Sequence, residues 1–435
     1  VEDSPASLEE IYAGQRTAPG PVNPPVNPIV PEIDLTSYDV YAHGVPDAEI
    51  DRLCASGPVF WHAETQPNEP GFWVLTRHQD IQDVGKNPTL FSSEKGAGAL
   101  ISIEESTVRR MTRWSLSLRR ANMVLMDPPD HRLYRSLVMP FLSGPGARRI
   151  EPLVRDRVER LLETIPVNQP FDLVSRFSAV TPGFAMCYLL GVPEEDQEYV
   201  CALGDELSAI GDPNAGSVLE QAQIKTFQYG ARLLEAKKAN PGNDLLSAAY
   251  AASLNAASGL RPLSIESLFS LMIVAGHRTT RNTVTSGLLE LYRHPDQVEM
   301  LRRDPDLIVN AVEEILRWTA VVPLFRRTAT ADTEIAGQKI AAGEKVVMWY
   351  TAGNRDESVF PQPHRFDITR AEAKKNLAFG FGAHMCAGNQ IARVQLRAII
   401  QAFVNRFERL EVLGEPEYLR TNQAISIKRV EVRVS

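Results

Sequence analysis

Between Phe379 and Gly388 the chain reads Phe-Gly-Phe-Gly-Ala-His-Met-Cys-Ala-Gly. The reactive group in this stretch is Cys386, set among glycines and followed at once by a helical run from Ile391 to Phe407. A cysteine at the start of a helix has its thiolate favoured by free backbone N–H groups and by the positive end of the helix dipole. Gly380, Gly382 and Gly388 let the backbone approach something large and flat without side-chain obstruction. A lone cysteine is more often a small buried hydrophobe. The glycine spacing and His384 argue instead for a metal ligand.

Two other stretches carry polar groups where a helix would have to place them. Ser264 to Tyr292 has no proline and stops at His294-Pro295, which predicts a helix of roughly 43 Å at 1.5 Å per residue. It is apolar on most sides, so it should cross the middle of the protein. In its centre stands Ala275-Gly276-His277-Arg278-Thr279-Thr280, and polar residues inside a buried helix need a reason. A helical threonine can spend its hydroxyl on the carbonyl four residues back, or it can face a reacting group. Further upstream, Asp127-Pro128-Pro129-Asp130 opens a helix in which Asp127 can cap and Pro128 suits the first turn. His131 and Arg135 then fall on one face, where two cationic or donor groups suit an anionic partner.

A thiolate held in such a turn is a suitable axial ligand for haem iron. The pattern Phe-Gly-x-Gly-x-His-x-Cys-x-Gly resembles the haem-binding signature of the cytochrome P450 superfamily, and the chain is similar to that family from about Ser37 to its end. The resemblance implies a mainly α fold with a smaller β region, a triangular helical domain around haem b with the long helix across it. Residues 1–34 would form an extended arm and residues 35–435 one haem domain. Cys386 would ligate the iron. Phe379, Gly380, Ala387 and Gly388 would line the porphyrin. His131, Arg135, Arg327 and His384 would bind the propionates, with Arg326 the adjacent alternative to Arg327.

On the other side of the haem the family pattern is Ala/Gly-Gly-x-Asp/Glu-Thr-Thr/Ser. By resemblance, Gly276 opens a local kink beside the iron and Thr279 holds a water chain that delivers protons to dioxygen. Arg278 departs from the pattern, because the family has an acid there. It could point outward and pair with a carboxylate, which is the favoured account. It could face the pocket and bind an acidic substrate group, or turnover could leak peroxide. Ala275, Val322, Leu324, Ala424 and Ile425 should line the substrate pocket, along with Val321 and Pro323. Glu314, Arg317 and Arg355 should form a buried triad that fixes the loop leading to Cys386.

The totals fit that reading. Net charge is −8 over 435 residues, so charge gives no support to a nucleic-acid partner. Cys54, Cys187, Cys201 and Cys386 are the four cysteines and show no Cys-x-x-Cys or zinc spacing. Reduced thiols and a cytoplasmic setting are therefore expected. No apolar run is long enough to span a bilayer, and the proline-rich start lacks the order of a secretory signal. No flavin or iron–sulfur segment is visible, so electrons should come singly from a ferredoxin and its reductase. The docking face is expected to include Arg132, Arg135 and Arg393.

The expected function is a haem-thiolate monooxygenase that hydroxylates an apolar terpenoid, steroid or fatty-acid-like molecule with O2. The alternatives are a peroxide-driven peroxygenase with Arg278 as substrate anchor, and a non-catalytic haem- or ligand-binding protein.

The positioning elements read as follows. Helices are expected at Asp47–Ser56, His78–Lys86, Ile150–Thr164, Asp172–Leu190, Glu194–Ile210 and Gly216–Lys238, and another should start near Asp304-Pro305. Paired strands are expected at Val59–His62 and Gly71–Thr76, more strands between Val321 and Val347, and a last hairpin from Leu419 to Val434. Glu94 to Asn122, with its arginine cluster, resembles the family's substrate lid.

Overall fold

The computed structural model describes residues 33–64, 71–95, 121–207, 216–255, 259–260 and 264–435. The proline-rich arm up to Pro31, the arginine cluster between Arg109 and Arg120, and the loop 211–215 lie outside these residues.

In chain order the helices are α1 (Asp47–Ser56), α2 (His78–Lys86), α3 (Asp130–Leu142), α4 (Gly144–Glu163), α5 (Val180–Leu190), α6 (Gln197–Leu207), α7 (Gly216–Ala239), α8 (Leu245–Ser253), α9 (Ser264–Tyr292), α10 (Pro295–Arg303), α11 (Ile308–Thr319), α12 (Tyr350–Gly353) and α13 (Asn389–Arg406). The strands are β1 (Val59–His62), β2 (Phe72–Leu75), β3 (Phe91–Ser92), β4 (Phe171–Asp172), β5 (Leu324–Ala329), β6 (Thr333–Ile335), β7 (Gln338–Ile340), β8 (Lys345–Trp349), β9 (Leu410–Val412), β10 (Glu417–Tyr418), β11 (Ile427–Arg429) and β12 (Glu431–Val434).

The long run from Ser264 to Tyr292 is one unbroken helix, α9, packed against α5, α6, α7, α11 and α13. One apolar core joins them, with Val284, Leu288 and Leu291 of α9 fully buried beside Ile315 of α11 and Ile400 and Phe403 of α13. Helices that are apolar on several sides can be satisfied only in this central position.

The sheet β1-β2-β8-β5-β3 forms a second body, antiparallel except for β2 against β8. The alternation in β1 and β2 is real, yet both faces are buried. Trp61, Trp73 and Leu75 enter one apolar cluster with Met348. Phe60, Phe72 and Val74 enter another with Val347 and Trp349.

Some boundaries differ from expectation. Asp172–Leu190 is not one helix, because Asp172 ends a strand and a π-turn at Val174–Ser178 precedes α5. Asp127 does not cap α3. Its carboxylate accepts from the Ser93 N–H at 2.7 Å and from the Ser92 hydroxyl, tying β3 to the helix entrance. The final segment is not one hairpin, since β11 pairs with β10 whereas β12 pairs with β4 and β9.

Candidate active site

The loop that carries Cys386 is held from three directions. The Cys386 N–H donates to the Phe379 carbonyl at 2.9 Å, which closes the turn. The Asn389 side chain donates to the Cys386 carbonyl at 2.6 Å from the first residue of α13. Gly380 and Gly382 have φ of +66° and +77°, which glycine adopts without strain. A Cβ on Gly382 would lie 1.9 Å from the Gly85 carbonyl oxygen of α2. Gly382 therefore seats the loop on α2, and it is not among the cavity-lining residues.

Cys386 is exposed, but to a cavity. That cavity encloses about 1460 Å³ of empty space, open solvent at its mouth included. On the Cys386 side its lining includes Phe379, Gly380, Ala387 and Gly388. From α9 the lining takes Ala275, Gly276, Thr279, Thr280 and Thr283. Burial pushes the Cys386 thiol up, while the Gly388 N–H, Arg135 and Arg393 pull it down. In the protein alone, burial thus outweighs the helix-terminus effect expected to favour the thiolate.

His131, Arg135, Arg327 and His384 converge on the same cavity. The two imidazoles stack with ring centroids 4.0 Å apart and planes tilted by 32°. Nδ1 of His131 and Nε2 of His384 are buried without a hydrogen-bond partner. Burial and the neighbouring guanidinium of Arg327 push His384 down to about 2, helped by His131 and Arg135. Of the two adjacent arginines it is Arg327 that lines the cavity. Its guanidinium donates to the Arg326 carbonyl at 2.7 Å, whereas Arg326 reaches the Thr328 hydroxyl at 3.3 Å. Orphaned ring nitrogens and buried guanidinium groups fit an anionic ligand. A porphyrin with two carboxylates, a thiol on one side and apolar walls elsewhere suits this set of residues.

This cluster predicts a pH dependence. Burial, then Arg135 and Arg327, push His131 down to about 4. Between that value and the unfolded value near 6.5 the folded chain binds fewer protons than the unfolded one. Stability then rises with pH in that window. The haem-free protein should lose stability as pH falls from about 6.5 to 4, and His131→Asn should flatten that slope. Urea midpoints across the window check this, and an unchanged slope would contradict it.

The long helix runs without a break in its helical span through Gly276. A Cβ there would lie 2.0 Å from Met186 Sδ, so the glycine admits α5 against α9. The Thr279 hydroxyl lines the cavity and donates to the Ala275 carbonyl at 2.7 Å. Arg278 is 6% exposed with Arg281 beside it, and burial lowers it to about 10. It is not among the described cavity-lining residues, so the pocket-anchor account does not match its position.

Other expectations need correction. Val321 and Val322 line the cavity, but Leu324 does not. Leu324 pairs with Trp349 across the sheet and enters the cluster of Phe72 and Val347. Phe325, on the opposite face of the strand, takes its place. Ala424 and Ile425 are buried outside the described lining. Ile425 contributes through its backbone, its N–H donating to the Val321 carbonyl at 2.8 Å.

The buried triad forms with a different third member. Glu314 accepts from Arg317 at 2.7 and 2.8 Å and from Arg370 at 3.2 Å. Arg355 instead pairs with Asp47 and donates to the Trp318 carbonyl at 3.3 Å. Arg393 is engaged by Glu313 at 2.6 and 3.1 Å, and Arg135 turns to the cavity, so neither is freely presented on the surface. Arg132 is exposed as expected, and Lys374 and Lys375, which the sequence reading did not single out, are exposed too.

Tyr350, Met186, Phe325 and Arg370 are site or support residues that sequence reasoning missed. Only Arg370 had a visible signal, four positions after Phe366 in the Phe-Asp-Ile-Thr-Arg run.

Fold and cavity together are those of a haem-dependent oxidoreductase. The cytochrome P450 family model matches residues 212–432, and the chain belongs to that family as a monooxygenase. It is 34% identical over 405 residues to the linalool 8-monooxygenase of Pseudomonas putida, covering 92% of this chain and 98% of the relative. It is 33% identical over 423 residues to the methyl-branched lipid omega-hydroxylase of Mycobacterium bovis, covering 94% and 96%. Among solved structures, a Mycobacterium marinum cytochrome P450 in complex with pseudoionone matches with TM-score 0.82 and 32% identity, over 94% of this chain and all of that one. Among the described residues no helix is long and apolar enough to cross a membrane.

Proposed function

We propose that this monooxygenase hydroxylates an apolar terpenoid-, steroid- or fatty-acid-like molecule, with Cys386 as the sulfur ligand to haem b. One observation carries the reading. The Cys386 thiol faces a largely apolar cavity that is also lined by the Ala275–Thr283 stretch of α9 and by His131 and His384, each with a buried ring nitrogen that has no hydrogen-bond partner. Haem supplies the activation of O2 and the oxidation of the C–H bond.

The chain's own residues do the rest. Arg135, Arg327, His131 and His384 hold the carboxylates. Leu271, Met272, Ala275, Val321, Val322 and Phe325 offer the substrate an apolar surface and keep bulk water out. The Thr279 hydroxyl donates a hydrogen bond to the Ala275 carbonyl, so its oxygen lone pairs can accept from a water and hold that water in the cavity. Thr279→Ala should lower product formation by about a hundredfold, the lower end of what positioning a proton-transfer group contributes. Thr279→Ser should restore most of it. Equal rates for Thr279→Ala and the parent would contradict the assignment.

Electrons are assigned to an acidic ferredoxin and its reductase, docking where Arg132, Lys374 and Lys375 are exposed. Relatives named for linalool, methyl-branched lipid and steroid oxidation support the apolar substrate class. The test is a panel of such molecules, screened for the low-to-high-spin shift and then turned over with reduced ferredoxin and O2. A hydroxylated product is expected. Product with hydrogen peroxide but none with reduced ferredoxin and O2, or no product with either oxidant, would overturn the reading.

A further inference from the structure

We propose that Cys187 and Cys201 form an oxidisable dithiol, which hydrogen peroxide converts to a disulfide joining α5 to α6. Two contacts place the sulfurs together. The Cys187 thiol points at the Gln197 carbonyl at 3.9 Å, one turn before Cys201 on α6. Cys201 Sγ lies 2.4 Å from where a Gly183 Cβ would stand, one turn before Cys187 on α5. Each sulfur thus rests against the turn preceding the other, which sets the two thiols side by side between α5 and α6. Gly183 leaves the space that Cys201 fills.

The two cysteines are not equivalent. Cys187 is fully buried in the main core, while Cys201 is partly exposed at its edge. The neighbouring Cys187 thiol pulls Cys201 down, and Arg157 adds to this against burial, Asp205 and Glu198. Cys201 and burial push Cys187 up. Cys201 is therefore the attacking sulfur and Cys187 the resolving one. In the first step the Cys201 thiolate attacks hydrogen peroxide. An S–O bond forms, the O–O bond breaks, and hydroxide leaves to become water. In the second step Cys187 gives up its proton and attacks that sulfur. The S–S bond forms, the S–O bond breaks, and a second water leaves. The two thiols lose two electrons and one peroxide becomes two waters.

The linkage matters for the site because α6 also carries Asp205. Asp205 pairs with Arg281 and lies 3.8 Å from His277 Nδ1 on α9. A bond from α6 to α5 would fix the element that holds these groups, one turn from Thr279 and Arg278.

The experiment exposes the haem-loaded protein to graded hydrogen peroxide, alkylates it in denaturant, and maps peptides without reduction. A Cys187–Cys201 linked peptide, lighter by two hydrogens and released by dithiothreitol, is expected. Cys187→Ser should leave Cys201 as a sulfenic acid that dimedone traps, and Cys201→Ser should leave Cys187 unmodified. Cys201 found as sulfinic acid beside a free Cys187 in the parent protein would overturn the proposal. So would both thiols staying fully alkylatable while methionines are already oxidised.

Discussion

Cys386→Ser should fold but lose product formation by about 10³-fold or more, equivalent to about 4 kcal/mol of barrier. The loop does not depend on the sulfur for its shape. The Cys386 N–H bond to Phe379 and the Asn389 bond to the Cys386 carbonyl are both made by the backbone of residue 386. A serine oxygen fits the same space. It is a hard donor that stays protonated at neutral pH, so it cannot push electron density into the iron as a thiolate does. Haem content, thermal stability and turnover measured together separate the outcomes. Near-parent turnover in a haem-loaded Cys386→Ser protein would remove Cys386 from the mechanism.

The second large effect is on folding. Glu314 and Arg317 have no side-chain exposure, and Arg370 has almost none. The Glu314 carboxylate accepts from both guanidinium groups and from the Asp367 N–H at 3.0 Å. Arg317 in turn donates to the Asn354 and Pro363 carbonyls at 2.9 Å each. Glu314→Ala leaves two buried guanidinium groups without their carboxylate, which costs about 3–5 kcal/mol. That is a large part of a typical total of about 5–15 kcal/mol. Because this network anchors the 354–370 segment before the Cys386 loop, haem retention should fall with stability. Urea unfolding and haem content per chain read both. A loss below about 1 kcal/mol with full haem content would mean the network is not the anchor.

The residues legible in the sequence were those whose chemistry or local period forced their place. Ser264–Tyr292, His78–Lys86 and Asp47–Ser56 have the boundaries expected from their breakers and periodicity. The convergence of Cys386, His384, His131, Arg135 and Arg327 on one cavity likewise follows from motif residues. What failed depended on tertiary partners. Leu324 and Phe325 look equally suited to a pocket, and only the pairing of β5 with β8 decides which faces it. Arg355 and Arg370 both lie in loops, and the path of the chain decides which reaches Glu314. At Gly276 the partner that needs the missing side chain, Met186, lies on another helix. Cys187 and Cys201 form no motif, because they meet only when α5 packs on α6.

The most direct test of the central claim is the absorption spectrum of the dithionite-reduced carbon monoxide complex of the haem-loaded protein. The account predicts the red-shifted Soret band of a thiolate-ligated haem, lost in Cys386→Ser. A Soret band at the position typical of histidine ligation in the parent protein would contradict it.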